Sequence, residues 1–577
     1  MEMTGSRVVV ECLVEQGVDT IFGYPGGAIL NIYDELYKNS DRITHILTAH
    51  EQGAAHAADG YARATGKVGV VFATSGPGAT NLVTGIATAY MDSSPVVAVT
   101  CNVPTPLLGK DSFQEIDITG ITMPITKHNF MVHDIKELAS VIREAFVIAK
   151  SGRPGPVLID IPKEVTAATI DFEPLPAGSA ATAMLEGGRS NMRRVISAPV
   201  PSDEEIAAAA ELINKAERPV IYAGGGINIS NAGEELLQLA EKADIPVTES
   251  LMARDAFPSS HPLCLWMVGM HGTKASNMAI TESDLVIALG ARFSDRVISD
   301  ASKFAANSKV FHIDIDPAEI NKNIPTAGSL VGDVKAVLAR LLPHIESKKR
   351  ADWLGKVQGW KAEHPACYDV VPQHSINPKF ICEYIHKVAG DDAFITTEVG
   401  QHQMWTAQYY PFAKPRTFIT SGGLGTMGFG TGAAIGIQTA LPKARVVHIA
   451  GDGSFRMNCN ELATIQHYNL PIIIVVVNNG TLGNVRMWQK LFYGKRYSQT
   501  TLDFGPDWVK LADAYGIAGY RAGTADEFAK AFDAAFAGGK AAVIDAKVDI
   551  DEMVLPMVPG GKPIYNQIMS VSKEIQN

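Results

Sequence analysis

Short apolar runs alternate with helix-like stretches through most of the 577-residue chain. The runs VGVVFAT (Val68–Thr74) and SPVVAVT (Ser94–Thr100) have the length and the β-branched content of buried strands. Similar runs occur at RPVIYAGGG (Arg218–Gly226) and at Val446–Ala450. Because strands that alternate with helices form parallel sheets covered by those helices, the pattern predicts the α/β class. We expect three domains, each a mostly parallel sheet flanked by helices.

Two breaks in composition separate three α/β blocks. EPLPAGSAATAMLEGG (Glu173–Gly188) is rich in Ala, Gly and Pro, and ESKKRADWLGKVQGWKAEHP (Glu346–Pro365) is mostly polar. We therefore expect domains at residues 1–165, 201–343 and 376–560, linkers at 166–200 and 344–375, and a C-terminal tail at 561–577.

The first and third blocks share a layout of strand, glycine loop, helix, proline and strand. The loop glycine and the proline are Gly76 and Pro95 in the first block, and Gly451 and Pro471 in the third. These pairs are 19 and 20 residues apart. The likeness fits a duplicated architecture, and it also fits the general similarity of any two βαβ units.

The composition is that of a globular protein, with 46% hydrophobic residues and a net charge of −11. The acidic balance argues mildly against nucleic acid as a main partner. Six scattered cysteines without a CxxC pair indicate thiols in a reducing compartment rather than disulfides or a zinc site. The N-terminus lacks the pattern of a signal peptide, and no apolar run approaches the ~18 residues of a membrane span. We expect a soluble, cytoplasmic protein without a nucleic-acid or membrane partner.

The stretch GDGSFRMNCNELATIQHYNLPIIIVVVNN (Gly451–Asn479) carries polar residues at the ends of two predicted strands. Asp452 lies in a turn after Val446–Ala450, and Asn479 follows the strand Pro471–Val477. With a crossover helix between the strands, both residues lie at the carboxyl edge of a parallel sheet, where ligands bind. A carboxylate and an amide oxygen suit Mg²⁺ bound together with a phosphate group. Ordinary turn residues are the alternative, and the sequence has no GxxxxGK[ST] P-loop.

This motif resembles that of the thiamine-diphosphate enzymes, which implies that Asp452, Asn479 and the main-chain carbonyl of Thr481 hold Mg²⁺ against the diphosphate. HEQGAAHAADGYARATGK (His50–Lys67) resembles the pyrimidine-binding domain of the same family. By this resemblance Glu51 bonds the aminopyrimidine ring and so activates the cofactor. Taken alone, Glu51 fits an acid that the helix dipole favours in a first turn. In the family the two cofactor domains of a site come from different subunits, which implies at least a homodimer.

Nearly the whole chain resembles the biosynthetic, FAD-containing acetolactate synthases. DSFQEIDITGITMPITKHN (Asp111–Asn129), GARFSDR (Gly290–Arg296) and SGGLGTMGFG (Ser421–Gly430) carry much of this resemblance. It implies two related cofactor domains around a central FAD-binding domain, with thiamine diphosphate, Mg²⁺ and FAD as cofactors. It also implies the decarboxylation of pyruvate and the transfer of its two-carbon unit to a second pyruvate or to 2-oxobutyrate, in branched-chain amino-acid biosynthesis.

The resemblance also assigns roles to individual residues. Gln114 orients the substrate, Met427 is an apolar wedge that bends the cofactor, and Trp488 with Arg296 favours 2-oxobutyrate as the second substrate. Without the family, Met427 and Trp488 fit core packing equally well. The other residues expected at the thiamine diphosphate site are Pro25, Gly27 (catalytic), Phe113 (substrate), Thr74, Pro77, Asn81, Val399, Gly400, Gln401, His402, Gly425, Gly453, Ser454 and Gly483. Those expected at the FAD site are Arg153, Gly269, Met270, His271, Gly272, Thr273, Gly290, Arg292, Asp295, Arg296, Asp314 and Asp316.

Three places depart from the family pattern. Asn102 stands where Gln is common, Thr431 and Gly432 replace an apolar residue and Pro, and Asn484 stands where Met usually lines the pocket. They leave acceptor preference and inhibitor sensitivity open. The family commonly has a separate regulatory subunit, so that valine feedback and the choice between dimer and tetramer are open too.

Two other functions remain open on the sequence. A thiamine- and FAD-dependent pyruvate oxidase or decarboxylase uses related cofactors, but the loop around Gln114 and the presence of Trp488 argue against it. A non-catalytic cofactor-binding or regulatory protein is the second alternative. The presence of Glu51 together with an intact metal motif argues against that reading.

Overall fold

The computed structural model describes residues 1–177, 199–363 and 375–570 of the chain. Within these ranges it contains three six-stranded sheets, and the neighbouring strands of each sheet run parallel. Helices connect the strands, which confirms the predicted α/β class with three sheets. Most of the stretch predicted as the first linker, part of the second, and the last seven residues of the tail lie outside the described residues.

The first domain contains a sheet in the order β3-β2-β4-β5-β7-β6, together with a short antiparallel pair, β1 and β8. Its strands are β1 (Glu2–Thr4), β2 (Thr20–Gly23), β3 (Thr44–Leu47), β4 (Gly69–Ala73), β5 (Val96–Asn102), β6 (His128–Met131), β7 (Val157–Pro162) and β8 (Thr169–Asp171). Its helices are α1 (Gly5–Glu15), α2 (Leu30–Lys38), α3 (Glu51–Thr65), α4 (Pro77–Asn81), α5 (Val83–Met91), α6 (Ile118–Thr122), α7 (Ile135–Lys150) and α8 (Lys163–Ala167). The strand β8 thus falls in the stretch 166–200 that the sequence predicts as a linker.

The middle domain contains a sheet in the order β11-β10-β9-β12-β13-β14. Its strands are β9 (Pro219–Ala223), β10 (Val247–Glu249), β11 (Cys264–Met267), β12 (Leu285–Leu289), β13 (Lys309–Asp314) and β14 (Gly328–Val331). Its helices are α9 (Asp203–Lys215), α10 (Gly226–Ser230), α11 (Gly233–Ala243), α12 (Lys274–Glu282), α13 (Asp295–Ile298), α14 (Val334–Leu341) and α15 (Ala351–Glu363), of which α15 lies in the predicted second linker. Numbered within the domain, the strand order is 3-2-1-4-5-6, the order of dinucleotide-binding sheets.

The third domain contains a sheet in the order β16-β15-β17-β18-β20-β19. Its strands are β15 (Phe394–Thr397), β16 (Phe418–Ile419), β17 (Val446–Gly451), β18 (Ile473–Asn478), β19 (Ala518–Ala522) and β20 (Ala542–Lys547). Its helices are α16 (Pro378–Ala389), α17 (Gln401–Tyr409), α18 (Phe429–Ala440), α19 (Asp452–Phe455), α20 (Leu462–His467), α21 (Gly483–Phe492), α22 (Trp508–Ala514) and α23 (Ala525–Gly538).

The first and third sheets have the same topology. Counted from β2 and from β15, both run second, first, third, fourth, sixth, fifth. The strands that the sequence pairs by spacing, β4 with β17 and β5 with β18, therefore occupy equivalent positions. The shared order supports the duplicated architecture, because unrelated βαβ units need not share a complete strand order.

The first and third domains share one apolar core within the chain. The helices α3 and α18 pack directly on each other, and glycines allow their close approach. A methyl group on Gly432 would stand 2.7 Å from the carbonyl oxygen of Gly53, and one on Gly60 would overlap the backbone of Ala433. The N-terminal ends of both helices, at Glu51 and Phe429, thus lie on the same side of the contact.

Buried carboxylates join the middle domain to the third. Asp255 accepts hydrogen bonds from the N–H groups of Thr417 and Phe418, at 2.8 and 2.9 Å. Glu249 pairs with Arg254, whose guanidinium also donates to the carbonyl oxygen of Ala407. Across the described ranges of the chain, the helices are all too short or too polar to span a membrane.

Candidate active site at the carboxyl edges of the sheets

Asp452 and Asn479 meet at the carboxyl edge of the third sheet, as the sequence predicts. They follow β17 and β18, which are adjacent parallel strands in which Gly451 is paired with Val477. The backbone N–H of Asn479 lies close enough to the Asp452 carboxylate to favour its ionised form. One detail of the prediction is wrong: Asp452 begins the short helix α19 instead of standing in a turn.

The Asp452 carboxylate is buried, with 4% of the residue exposed. Burial raises its pKa to about 6, although the hydrogen bonds from backbone N–H groups act in the opposite direction. A buried carboxylate held by few protein cations favours a bound cation as its partner. Among the described residues there is no cluster of three or more His, Cys, Asp or Glu that could hold a metal. A site here therefore needs amide, carbonyl and ligand oxygens besides Asp452, the donor set that Mg²⁺ accepts.

Asn479 is tied to the segment after β15, which lies two strands from β18 in the sheet. Its Nδ2 donates to Oε1 of Gln401 at 2.9 Å, and its Oδ1 accepts from the N–H of Thr481 at 3.3 Å. The hydroxyl of Thr481 donates to the carbonyl oxygen of Thr500 at 2.7 Å. Gly483 is required beside them, because a methyl group there would overlap Oε1 of Gln401. Asn479, Thr481, Gln401 and Gly483, all predicted cofactor or metal residues, thus form one cluster.

The segment Val399–His402 follows β15, next to β17. The strand order reverses between β15 and β17, and ligands of α/β sheets bind at such a point. The His402 ring packs against Gly400 and Gly451, and burial lowers its pKa to about 4. Its buried Nε2 has no hydrogen-bond partner among the described residues. A neutral imidazole nitrogen at this edge fits a phosphate-bearing ligand as a hydrogen-bond partner.

The loop of Met427 is anchored by Glu398, a residue that the sequence analysis missed. The fully buried Glu398 carboxylate accepts hydrogen bonds from the N–H groups of Gly428 at 2.5 Å and Thr431 at 3.3 Å. Gly428 has φ +93°, a conformation that favours glycine, and it precedes α18. The carboxylate therefore caps α18 and fixes the turn that presents Met427, which is itself half-buried.

The departure at Thr431 is explained by the same cluster. The Thr431 hydroxyl lies 3.3 Å from Oε1 of Glu398 and 3.4 Å from Nε2 of His448. Burial opposes ionisation of Glu398, but the hydrogen bond and charge of His448 outweigh it and lower the pKa of Glu398. Threonine suits position 431 because its hydroxyl has Glu398 and His448 as polar partners. The adjacent Gly432 is needed for the contact of α18 with α3.

Glu51 begins α3 at the carboxyl edge of the first sheet. Its Oε2 accepts a hydrogen bond from Nδ2 of Asn81 at 3.0 Å, and its Oε1 lies against Gly78. The strand order of this sheet reverses between β2 and β4. The predicted residues after these strands meet there, because the Thr74 hydroxyl accepts a hydrogen bond from the N–H of Ala28, next to Gly27. Pro25 and Pro77 lie on the same two loops.

Gln114 lies on a loop held close to the same edge. It has φ +60°, a strained backbone conformation for a residue other than glycine, and it packs on Gly76. The side chain of Asn102 fixes the loop, since its Nδ2 donates to the carbonyl oxygen of Ile116 at 3.1 Å and to Oδ2 of Asp160 at 2.8 Å. Asn102, which departs from the family pattern, is therefore a buried residue that supports the loop of Gln114. Phe113 points outward, with 88% of it exposed.

Trp488 and Arg296 come together, as the resemblance implies. The guanidinium carbon of Arg296 lies 5.7 Å from the centre of the Trp488 ring. Arg296 is largely exposed, while Nε1 of Trp488 and Oδ1 of Asn484 are buried and have no hydrogen-bond partner within the described residues. The Nε1–H donor of Trp488 beside a cationic side chain suits a substrate that carries a carboxylate and a carbonyl group.

The predicted FAD residues follow three strands of the middle sheet. Gly269–Thr273 follow β11, Gly290–Arg296 follow β12, and Asp314–Asp316 follow or end β13. The order of the sheet reverses between β9 and β12, where Gly224 and Gly226 pack against Gly290. A Rossmann-like crevice with glycine backbones at its floor fits a dinucleotide.

Contacts of the predicted FAD residues reach the other two domains. The Arg292 guanidinium donates to the carbonyl oxygen of Met91 at 2.6 Å. The carbonyl oxygen of His271 accepts from Gln408 at 3.0 Å. Arg153 forms ion pairs with Glu319 at 2.9 Å and with Asp316 at 3.6 Å. A flavin bound at Arg153 would therefore share this cation with the two carboxylates. The predicted FAD residues therefore contact both of the other domains.

The predicted thiamine diphosphate residues form two clusters on different sheets, one around Glu51 on the first sheet and one around Asp452 on the third. Gly425, with φ +73°, lies in the loop before α18, and Gly453 and Ser454 lie in α19 beside Asp452. Apolar side chains remain exposed on the segments that follow strands of the first and third sheets: Leu107, Phe113, Met123, Leu424, Met457, Val485, Phe492, Tyr493 and Phe504. Exposed apolar patches of this kind commonly mark protein interfaces.

Comparisons with known proteins agree with this arrangement. Residues 3–121 match the family "Thiamine pyrophosphate enzyme, N-terminal TPP binding domain", residues 206–341 match its central domain, and residues 398–546 match its C-terminal TPP binding domain. Thiamine pyrophosphate is the other name of thiamine diphosphate. Each match covers most of one sheet; the first ends before β6 and β7, and the third begins directly after β15.

Three relatives illustrate the likeness over the whole chain. A probable acetolactate synthase large subunit of Methanocaldococcus jannaschii is 48% identical over 99% of this chain and 96% of its own length. An acetolactate synthase of Mycobacterium bovis is 48% identical over 97% of this chain and 90% of its own length. The acetolactate synthase large subunit of Buchnera aphidicola is 43% identical over 99% of both chains. The chain therefore belongs to the thiamine pyrophosphate enzymes and, within them, to the family of acetolactate synthase large subunits.

Proposed function

We propose that this chain decarboxylates pyruvate and joins the remaining two-carbon unit to a second pyruvate, giving 2-acetolactate, or to 2-oxobutyrate, giving 2-aceto-2-hydroxybutyrate. The observation that carries the proposal is likeness of 43–48% over nearly the full length to acetolactate synthases. The two equivalent cofactor sheets, with Glu51 on one and Asp452 with Asn479 on the other, support it. The products belong to branched-chain amino-acid biosynthesis.

Thiamine diphosphate supplies the electron sink that decarboxylation needs. The chain's own groups bind and orient it: Asp452, the Asn479 side chain and the Thr481 carbonyl would hold Mg²⁺, and His402 with the segment at Gln401 would bind phosphate oxygens. Glu51 would hold or release a proton at the pyrimidine ring, with Asn81 fixing the direction of its carboxylate through a bond of 3.0 Å. The Met427 loop, capped by Glu398, would press on the cofactor from the side.

The substrate pocket would use Gln114, Phe113, Trp488 and Arg296. The cationic Arg296 suits the carboxylate of a 2-oxoacid, and the Trp488 ring beside it narrows the room for the acceptor. Asn484 adds a buried amide oxygen where an apolar side chain is usual, so that the balance between pyruvate and 2-oxobutyrate as acceptors is a property to measure in this chain.

FAD forms part of the proposal because the middle sheet has the strand order of dinucleotide-binding sheets. The residues that would hold it come from the loops after β11, β12 and β13, with Arg153 contributed by the first domain. The flavin has no net redox role in this reaction. Two 2-oxoacids are converted into one product and carbon dioxide without a net gain or loss of electrons.

The assembly forms part of the proposal too. The clusters around Glu51 and Asp452 lie on separate sheets, and apolar side chains remain exposed around both. A homodimer or homotetramer in which each site takes one cluster from each subunit would cover these side chains. Two of the relatives are named large subunits, which supports a separate small regulatory subunit. We also retain the cytoplasmic location predicted from the cysteines, of which the five described are unpaired thiols.

Product analysis tests the proposal. The purified protein is given pyruvate with thiamine diphosphate, Mg²⁺ and FAD, and again with each cofactor left out in turn. We expect 2-acetolactate, strict dependence on thiamine diphosphate and Mg²⁺, and the mixed product when 2-oxobutyrate is added. Acetaldehyde as the main product would move the chain to the decarboxylases, and acetate to the oxidases.

A further inference from the structure

The backbone that leads into Glu51 is held by side chains of the third domain. The N–H groups of Ala49 and His50 both donate to the carboxylate of Glu461, each at 3.1 Å. Just before them, the N–H of Leu47 donates to the hydroxyl of Tyr468 at 2.8 Å. These contacts join residues 411 to 421 positions apart in the chain.

Glu461 is built into this position. It is fully buried, and its third hydrogen bond comes from the Thr464 hydroxyl at 2.6 Å. A methyl group on Gly53, in the first turn of α3, would overlap Oε1 of Glu461, so that the carboxylate reaches the loop only because residue 53 is a glycine. The contact thus depends on matched residues in two domains.

The contact of Glu461 with the Ala49–His50 backbone affects how the Glu51 side chain is oriented. The N–H groups of Ala49 and His50 lie ahead of the first helical residue, where the hydrogen bonds of α3 cannot fix them. His50 caps the helix through its own side chain, which accepts from the N–H of Gln52 at 3.1 Å. A carboxylate at this end also interacts favourably with the helix dipole. Glu461 therefore holds the Thr48–Ala49 and Ala49–His50 peptide groups, just ahead of Glu51, in one orientation.

We infer that Glu461 is a positioning residue for Glu51, which it serves from the other cofactor domain of the same chain by fixing the Ala49–His50 backbone. The inference rests on the proposed role of Glu51. Displacement of a reacting group by about 1 Å costs up to ~10²-fold in rate. Loss of Glu461 should therefore slow proton exchange at the cofactor while the Asp452 cluster keeps its own contacts.

A matched control separates this role from simple domain packing. Asp255 is also a buried carboxylate that accepts two consecutive backbone N–H groups across a domain contact, but it touches neither α3 nor the loop before it. Asp255→Asn and Glu461→Gln thus remove the same kind of interaction at different places. Gly53→Ala disturbs the Glu461 contact from the opposite side and leaves the carboxylate in the chain.

The experiment compares the parent holoenzyme with Glu461→Gln, Gly53→Ala and Asp255→Asn. Hydrogen–deuterium exchange with mass spectrometry follows the amides of residues 47–53, and quenched-flow NMR follows exchange of the thiazolium C2 proton of bound thiamine diphosphate. Thermal unfolding is recorded for every variant. The amide readout needs no catalysis, which keeps it informative even if the proposed reaction is wrong.

We expect Glu461→Gln and Gly53→Ala to raise amide exchange at residues 49–52 about tenfold and to slow C2 proton exchange by ~10- to 100-fold. Asp255→Asn should lower the unfolding temperature and leave both rates at the parental value. If Glu461→Gln does not fold, Gly53→Ala carries the comparison. Parental rates in the folded variants would overturn the inference, whereas parental turnover in Glu51→Gln would instead overturn the proposed role of Glu51.

Discussion

Gly436 of α18 lies directly against the carbonyl oxygen of Ala57 in α3, so closely that a methyl group on Gly436 would overlap that oxygen. Both atoms belong to backbone, which cannot yield as a flexible side chain can. Gly436→Ala should therefore push the two helices apart and destabilise the contact of the two cofactor domains. We expect a loss of about 3 kcal/mol or more in the free energy of unfolding, measured by denaturant titration.

Gly359 provides the matched control for this substitution. It lies in the exposed part of α15, and a methyl group there would meet no atom within 4 Å. Because glycine is a poor helix former, Gly359→Ala should stabilise by about 0.5–1 kcal/mol. Equal effects of the two substitutions would show that the crossing of α3 and α18 is looser than the structure indicates.

The hydroxyl of Thr431 should stabilise the buried cluster of Glu398 and His448. Thr431→Val keeps the shape of the side chain and removes its hydrogen bond to a buried carboxylate. We expect a loss of about 2 kcal/mol, because hydrogen bonds to charged groups contribute ~1.5–3 kcal/mol. The measurement is again the free energy of unfolding.

Thr439 lies on the same helix and serves as the comparison. Its Oγ1 is buried without a partner among the described residues, so that Thr439→Val should cost nothing or stabilise slightly. Were Thr431→Val as harmless as Thr439→Val, the hydroxyl would have no part in capping α18.

The stability that four buried histidines contribute should fall as the pH drops from 6.5 to 4. Burial lowers the pKa values of His45, His56, His271 and His402 to about 4, below the ordinary value of 6.5. Between these values each of these histidines binds more protons in the unfolded chain than in the folded one, and its contribution to the free energy of unfolding therefore decreases with decreasing pH. Above pH 6.5 the contribution is fully present.

His56 allows the contribution of a single histidine to be measured, because it is not one of the predicted cofactor residues. His56→Leu should make the pH dependence of unfolding shallower by up to about 1.4 kcal/mol per pH unit within the window. The measurement is the urea midpoint at a series of pH values for the parent and the variant. An unchanged slope would mean that His56 titrates alike in the folded and unfolded chains.

Glu51→Gln should abolish most of the activity without unfolding the protein. The amide keeps the size of the side chain, but it cannot hold a proton as the carboxyl group does. Proton transfer by a positioned group is worth ~10²–10⁴-fold, so we expect turnover to fall by at least ~10²-fold and the affinity for thiamine diphosphate to weaken. Steady-state kinetics and a cofactor titration followed by fluorescence provide the two readouts.

Glu35 offers a control of equal burial in the same domain. Both glutamates are 8% exposed, and Glu35 belongs to α2, away from Asn81. Glu35→Gln should keep parental turnover. Near-normal turnover in Glu51→Gln as well would refute the role given to Glu51.

The repeating pattern of the chain was sufficient to predict the sheets. Apolar runs such as Val68–Thr74 correspond to strands, here Gly69–Ala73, because a buried parallel strand needs an almost continuous apolar sequence. The spacing of glycine and proline also indicated that the first and third sheets are related, and their strand orders agree. The meeting of Asp452 and Asn479 followed from the geometry of neighbouring parallel strands alone.

Contacts between distant segments could not be predicted in this way. Nothing in the stretch ELATIQ (Glu461–Gln466) indicates that Glu461 binds the backbone of His50, more than 400 residues earlier. In the same way, Thr431 departs from the family pattern without a visible reason until Glu398 and His448 are found beside it. Periodicity reports the environment along one element, whereas these contacts depend on how whole domains pack.

The stoichiometry of pyruvate consumption distinguishes carboligation from simple decarboxylation and from oxidation. The purified protein is supplied with pyruvate, Mg²⁺, thiamine diphosphate and FAD, and pyruvate, carbon dioxide and oxygen are followed together. A carboligase must consume two pyruvates for each carbon dioxide released and take up no oxygen in step with turnover. One pyruvate per carbon dioxide, with acetaldehyde or with acetate and matching oxygen uptake, would contradict the account.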